Sequence, residues 1–448
     1  MRWLAISLVL AAGAAHANGR APLTNGIRFQ PGDLHSLYVA STFGLLVSHD
    51  DGCTFRWVCE ANVRYGGTFD PKYAIATDGT LFATTYNGLR VSRDGGCSFT
   101  TATADLPQND PGNISMFWID ALDIGPTGEV WVGTATSGQP NDVFVSTDNG
   151  STFASRGMLS PTIWWKSVKV APSRAQRVYI TGYEVAGTGS GGMMPIAHLF
   201  ASDDDGATWT PSQLAGVQTA STPVVLVEAV DPRNADVLYV ASVGANGALG
   251  DFLYRSSDGG ATLAQVLAAG GTIHDVVIAD AQTVFVTTTI ASGTTVIGGP
   301  SYVSHDGGAT FAPLANSPQL ACLGQRGDGM LVGCGANWDP DHMAVATSPD
   351  LGATWQKLWR FVNLAGPLDC PPGTDEHDVC AVQQWPNLQQ QFATTGPTCG
   401  AFVVDGAADA TVPVKKRGCC EAGGAAPPLL PLLLLLPIPL LKRWRRRR

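Results

Sequence analysis

One octapeptide recurs seven times along this chain and limits its fold more than any other feature. It reads SHDDGCTF from Ser48, SRDGGCSF from Ser92, STDNGSTF from Ser146 and SDDDGATW from Ser202. It returns as SSDGGATL from Ser256, SHDGGATF from Ser304 and SPDLGATW from Ser348. The common pattern is S-x-D-x-G-x-[ST]-[FWL], a turn between two strands. The aspartate can accept bonds from nearby backbone amides, and the glycine supplies a backbone angle that other residues resist. The closing aromatic opens the next strand and packs between sheets. Successive copies start 44, 54, 56, 54, 48 and 44 residues apart, close to the length of a four-stranded sheet unit in a radial repeat protein.

A second element recurs upstream of the octapeptides. IRFQPGDLHSLYVAS, VKVAPSRAQRVYITG and VEAVDPRNADVLYVAS each place proline and tyrosine seven apart: Pro31/Tyr38, Pro172/Tyr179 and Pro232/Tyr239. This is strand A, a turn, then strand B. Each unit therefore reads A, turn, B, loop, C, octapeptide, D. Seven such meanders predict an all-β, seven-bladed β-propeller, because ring closure protects sheet edges that a lone blade would expose. The content of 52 Gly and 29 Pro with 14% charged residues suits many short strands and turns. Blade 1 is complete within Ile27 to Val58, so no strand is expected to be exchanged between the chain ends, and closure falls to inter-blade packing and the C-terminal extension.

The octapeptide resembles the Asp-box, or bacterial neuraminidase repeat, of sialidases and sortilin-type receptors. The resemblance implies that it joins strands C and D of each blade and that Asp50, Asp94, Asp148, Asp204, Asp258, Asp306 and Asp350 are structural.

Both ends of the chain read as addresses. Arg2, the apolar run Leu4 to Ala14 and Ala15-His16-Ala17 fit a signal peptide over residues 1–17, cleaved after Ala17. The expected plan is a propeller over 18–363, a Cys-containing extension over 364–399, a linker over 400–418 and a sorting tail over 419–448. In the extension, WPNLQQQF at 385–392 is expected to form a short helix on the ring. The tail joins Cys419 and Cys420 to the apolar run PPLLPLLLLLPIPLL and an Arg-rich end. It resembles the MYXO-CTERM class of bacterial sorting signals, which implies processing near the Cys pair and retention at the outer cell surface. Before processing, the apolar segment is the membrane partner.

Removing the six basic residues of the tail and Arg2 takes the formal net charge from −10 to −17. Such an acidic chain is a poor nucleic-acid partner. Eight cysteines precede the tail, and export favours disulfides. In the hairpin LACLGQRGDGMLVGCG, a turn centred on Asp328 sets Cys322 opposite Cys334, which predicts a bond between them. No cofactor or metal is expected.

Connections between strands B and C vary in length, whereas the A–B turns and octapeptides are short and uniform. Binding is therefore expected on the face opposite the octapeptides. Candidate residues there are Trp118, Trp164, Trp165, Tyr183, Glu184, Trp338, Asp341 and His342. Trp164-Trp165 offers a platform for sugar rings, although strand alternation places one of the two in the core. WDPDH at 338–342 gathers carboxylates and an imidazole, and is read as a polar loop with a buried Trp in preference to a cation site. A sialidase would need an Arg-Ile-Pro element. The nearest segment, Ile27-Arg28-Phe29-Gln30-Pro31, holds a proline that the scaffold repeat already explains. The expected function is a non-catalytic surface module for protein or glycan. The alternative is a sialidase-like glycoside hydrolase.

Overall fold

The computed structural model describes residues 22–66, 69–157, 159–184, 195–292, 295–338 and 340–397. The processing residues Ala17, Cys419 and Cys420, the apolar tail and Cys399 lie outside them. Seven small antiparallel sheets form a seven-bladed β-propeller. Blade 1 runs Thr24–Phe29, Leu37–Ser41, Gly44–Ser48 and Arg56–Cys59. The innermost strands A of blades 2 to 7 are Tyr73–Ile75, Ile119–Ile124, Ile163–Val170, Val225–Asp231, Thr272–Ile278 and Cys322–Gln325. Each touches the strand A of the next blade, and that of blade 7 touches Thr24–Phe29, so the ring is closed about a central channel.

The apolar core is divided into seven clusters, each lying between neighbouring blades. Phe99, the closing aromatic of the second octapeptide, packs with Tyr38 and Leu45 of blade 1. Phe153 packs with Phe82 of blade 2, and Trp209 with Trp131 of blade 3. The octapeptide glycines serve the same interfaces. Gly150, Gly206, Gly308 and Gly352 all have positive φ. A Cβ on them would meet Phe82, Trp131, Tyr239 and Phe285 of the preceding blade. Glycine here admits both the turn and close approach of the next sheet.

The ring seam differs from the expected arrangement in one respect. Strands A to D of blade 1 all come from the N-terminal side, but Gly366–Pro367 adds a fifth strand, parallel to Arg56–Cys59. Beyond it the chain forms a π-helical stretch, Glu376–Gln384, and the helix Trp385–Phe392. This segment is a clasp. Cys59–Cys380 and Cys97–Cys370 bond it to blades 1 and 2. Cys53 is also disulfide-bonded. Across the seam Thr24 Oγ1 donates to the carbonyls of Gly335 at 2.6 Å and Ala344 at 3.1 Å. In blade 7, Cys322 stands opposite Cys334 in the register and is bonded to it. Among the described residues no helix is long and apolar enough to cross a membrane.

Candidate functional site

Each octapeptide joins strands C and D, so octapeptides and A–B turns share one face, the turn face. The B–C and D–A connections share the other. The turn-face aspartates are occupied by their own turns. In blade 3, Asp148 Oδ1 accepts from Ser146 Oγ at 2.7 Å and from the Thr152 N–H at 2.8 Å.

The opposite face holds an arc of five aromatic rings from connected blades. Phe69 lies before blade 2, Tyr86 at its B–C corner, Trp118 before blade 3, and Trp164 and Tyr183 in blade 4. Ring centroids are 5.8 Å apart for Phe69–Tyr86, 4.9 Å for Tyr86–Trp118, 5.9 Å for Trp118–Trp164 and 6.1 Å for Trp164–Tyr183. Phe69 is 58% exposed and Tyr86 38%, while the other three are half-buried. At the Tyr183 end, Glu184 accepts from the hydroxyls of Thr162 at 2.8 Å and Ser160 at 3.2 Å. Those bonds, the Thr162 one foremost, hold its carboxyl below the usual range.

Three of the sequence candidates thus meet in one arc, with Glu184 at its end. Trp165 does not join them. It is 1% exposed and packs on Phe200, because adjacent strand residues point to opposite sides. Trp338, Asp341 and His342 lie in blade 7, across the ring from Trp164. Trp338 is 41% exposed and not buried as expected, because its loop lies at the surface; its Nε1 donates to the Pro22 carbonyl at 3.2 Å, and Asp341 accepts from the Gln319 N–H at 2.7 Å. Phe69 and Tyr86 escaped sequence reasoning. Neither belongs to a repeated motif, and only the ring geometry puts them beside Trp118.

Beside the arc the channel is lined by charges that sequence reasoning also missed. In five blades strand A carries a bulge, and the residue left out of the ladder is Asn25, Asp120, Lys166, Glu228 or His274. A bulge re-aims the side chain of its extra residue. Asp120 is paired with Lys166 and, at 3.4 Å, with Lys72 of blade 2. Lys166 also lies over the Trp118 ring at 5.1 Å, which joins the charged floor to the aromatic arc. Lower in the channel Asp123 faces Lys169 at 3.9 Å and accepts from the Val170 N–H at 2.9 Å. His274 Nδ1 lies 2.9 Å from Asp275, which also accepts from the Leu323 N–H of blade 7 at 3.0 Å.

Enclosure raises Glu228 to about 7, with Lys169 opposing and Asp275 adding to the rise. Burial also raises Asp123, against the charge of Lys169. For Asp275 burial acts upward, but His274 and Arg28 outweigh it and hold the carboxyl low. Glu228 has no hydrogen-bond or ion-pair partner among the described residues. At the turn face a cavity of about 310 Å³ is lined by Asp123, Lys169 and Glu228 together with Val170, Val230 and Ile278.

One signal in the sequence marks this channel. Polar residues sit three apart on strand A at Asn25/Arg28, Asp120/Asp123 and Lys166/Lys169. Strict strand alternation would space same-face residues by two or four, so a spacing of three reports the bulge.

No protein-family model and no curated protein matches the sequence. Among solved structures the chain is similar to the GH74 enzyme of Niastella koreensis, with 17% identity and a TM-score of 0.42 over 74% of this chain and 65% of that one. It is also similar to the GH74 xyloglucanase of Xanthomonas campestris, with 16% identity and a TM-score of 0.41 over 75% and 66%. A third similarity is to PorZ, a surface component of the type-IX secretion system of Porphyromonas gingivalis, with 16% identity and a TM-score of 0.46 over 68% and 44%. The chain spans less than two thirds of the length of each of the three. None of these likenesses bears on what this chain binds.

Proposed function

We propose that this chain is an exported, non-catalytic surface module that binds carbohydrate through the aromatic arc. The observation that carries this reading is the run of five rings at 4.9 to 6.1 Å spacing, partly exposed and bordered by Glu184 and the Lys72–Asp120–Lys166 floor. Flat apolar faces beside a few fixed polar groups suit a sugar, which presents both C–H faces and hydroxyls. The channel carboxylates support a non-catalytic role. Retaining and inverting hydrolysis both call for an acid and a base free to act as a pair. Here Asp120 and Asp123 are each held by lysine and Asp275 by His274, the last two also by a backbone N–H, so Glu228, which has no such partner among the described residues, is left without a second free carboxylate to pair with.

Affinity electrophoresis against a panel of soluble polysaccharides tests the reading. Trp118→Ala and Trp164→Ala should each weaken binding about tenfold, equivalent to about 1.4 kcal/mol. Trp338→Ala, three blades away, should leave it unchanged. Equal retardation of the Trp118→Ala variant and the parent would refute the arc. Release of new reducing ends from a bound polysaccharide would replace the module reading with the hydrolase.

A further inference from the structure

The channel carboxylates do not share the nearby cations evenly. Asp120 takes both Lys166 and Lys72. Asp123 takes Lys169, and Asp275 takes His274. Arg28 donates instead to the carbonyls of Tyr73 at 3.0 Å and Ile27 at 2.7 Å. Glu228 is left over, with neither a paired cation nor an N–H donor among the described residues. An enclosed carboxylate without a partner is costly, and a binding role is one reason for a fold to keep it.

Glu228 is also the extra residue of the blade 5 bulge, and it lines the turn-face cavity of about 310 Å³. That volume lies at the lower end of small-molecule sites, which span about 300–1,000 Å³. Pro172 and Pro232, from the A–B turns of blades 4 and 5, extend the aliphatic walls formed by Val170, Val230 and Ile278. Asp123 and Lys169 offset each other at 3.9 Å, so an ionised Glu228 is the uncompensated charge of the lining. The face around the cavity is acidic too. Its seven octapeptide aspartates, with Asp33, Asp51, Asp203 and Asp205, outnumber the arginines of its octapeptides and A–B turns, which are Arg93, Arg174, Arg177, Arg233 and Arg326. Such a field draws cations toward the opening.

One negative charge between aliphatic walls suits a cation that carries an apolar body. It does not suit a bare divalent metal ion, which gathers several protein ligands at once; calcium takes roughly six to eight oxygens. Among the described residues the side chains close enough to share one ion are Cys59, Glu376 and Cys380 in the clasp, and the two cysteines are bonded to each other. We infer that the turn-face cavity is a binding site for a small organic ammonium ion. Glu228 receives the ammonium group, and the aliphatic walls take its carbon chain or ring. Lys169 competes with the ligand for the carboxylates. The site lies on the face opposite the aromatic arc and stands apart from the carbohydrate reading.

The ligand selects the ionised form of Glu228. Enclosure raises that carboxyl to about 7, so binding should be about tenfold tighter at pH 8 than at pH 6. The groups facing Glu228 are Lys169 of blade 4, His274 and Asp275 of blade 6, and Lys72 before blade 2. Burial pulls His274 down, but Asp275 outweighs it and holds the imidazole above its usual range. Loss of the His274 charge as pH rises acts in the same direction, so a Glu228 variant is needed to separate the two.

Titration calorimetry of the full chain with n-butylammonium and phenethylammonium chloride tests the site. Both should bind saturably, while n-butanol and butyrate, of matching length but neutral or anionic, should not. Glu228→Gln should weaken ammonium binding at least tenfold and flatten its dependence on pH. Lys169→Met should tighten it several-fold, a change of opposite sign that misfolding cannot imitate. Absence of ammonium binding to the parent at pH 8 overturns the inference. So does equal binding by the Glu228→Gln variant, equal binding of n-butanol, or binding of calcium chloride in place of the amines. Glu228→Gln should keep its retardation by polysaccharide, so this inference and the carbohydrate reading fail separately.

Discussion

The serine that opens each octapeptide holds the turn together from inside. Ser202 is 2% exposed, and its Oγ donates to Asp204 Oδ1 at 2.8 Å while accepting from the Gly206 N–H at 2.8 Å. Ser202→Ala strands a buried N–H, so urea denaturation should show a loss of about 1–3 kcal/mol. Ser202→Thr, which keeps the hydroxyl, should recover part of it. The aspartate and glycine roles were legible in the sequence because turn chemistry is local. The serine's second bond and the packing of each glycine on the preceding blade were not, since both depend on burial that the ring creates. Glu376 shows the same dependence. It is fully buried, and burial pushes its carboxyl up to about 8, against hydrogen bonds from Asn62 and the Cys59 N–H. Below pH ~4 both folded and unfolded chains hold this proton. As pH rises from there toward 8 only the unfolded chain releases it, so stability falls, by roughly 3–5 kcal/mol in all. Glu376→Gln should flatten that part of the stability–pH curve; a variant curve parallel to the parent's would show that Glu376 is already ionised at neutral pH.

At the scale of elements, local pairings were readable and distant ones were not. Cys322 and Cys334 flank a short turn, and the register of one hairpin sets them opposite each other. The clasp bonds join residues 321 and 273 apart, and nothing along the chain singles out those partners from the other cysteines. The helix at Trp385–Phe392 was visible in its sequence, but the π-helical stretch before it and the parallel strand at Gly366–Pro367 follow from docking on blade 1. The two kinds of disulfide should also differ in weight. Closing a loop of 321 residues removes more unfolded-chain entropy than closing one of 12. Because Cys97–Cys370 already shortens the longer loop, the contributions in the loop-entropy account are about 4 and about 3 kcal/mol. Cys59→Ser with Cys380→Ser should therefore lower the denaturation midpoint further than Cys322→Ser with Cys334→Ser. The reverse order would mean that the clasp stays docked without its bond.

For the molecule as a whole, seven octapeptides foretold seven blades, because each copy marks one C–D turn. What the ring encloses was hidden. The ion pairs of the channel link Lys72, Asp120 and Lys166 from three blades, and only closure brings those strands side by side. The hydrophobic clusters likewise belong to pairs of blades, so no blade holds a core of its own. The clasp gives this arrangement a mechanical meaning. Tension applied between Pro22 and Pro397 runs through the strands of blade 1 to Cys59, crosses the sulfur bridge to Cys380 and leaves by the helix Trp385–Phe392. Along the covalent chain, blades 2 to 7 are a closed side loop off that line. A pull on Pro22 and Pro397 therefore loads blade 1 first, away from the arc on blades 2 to 4.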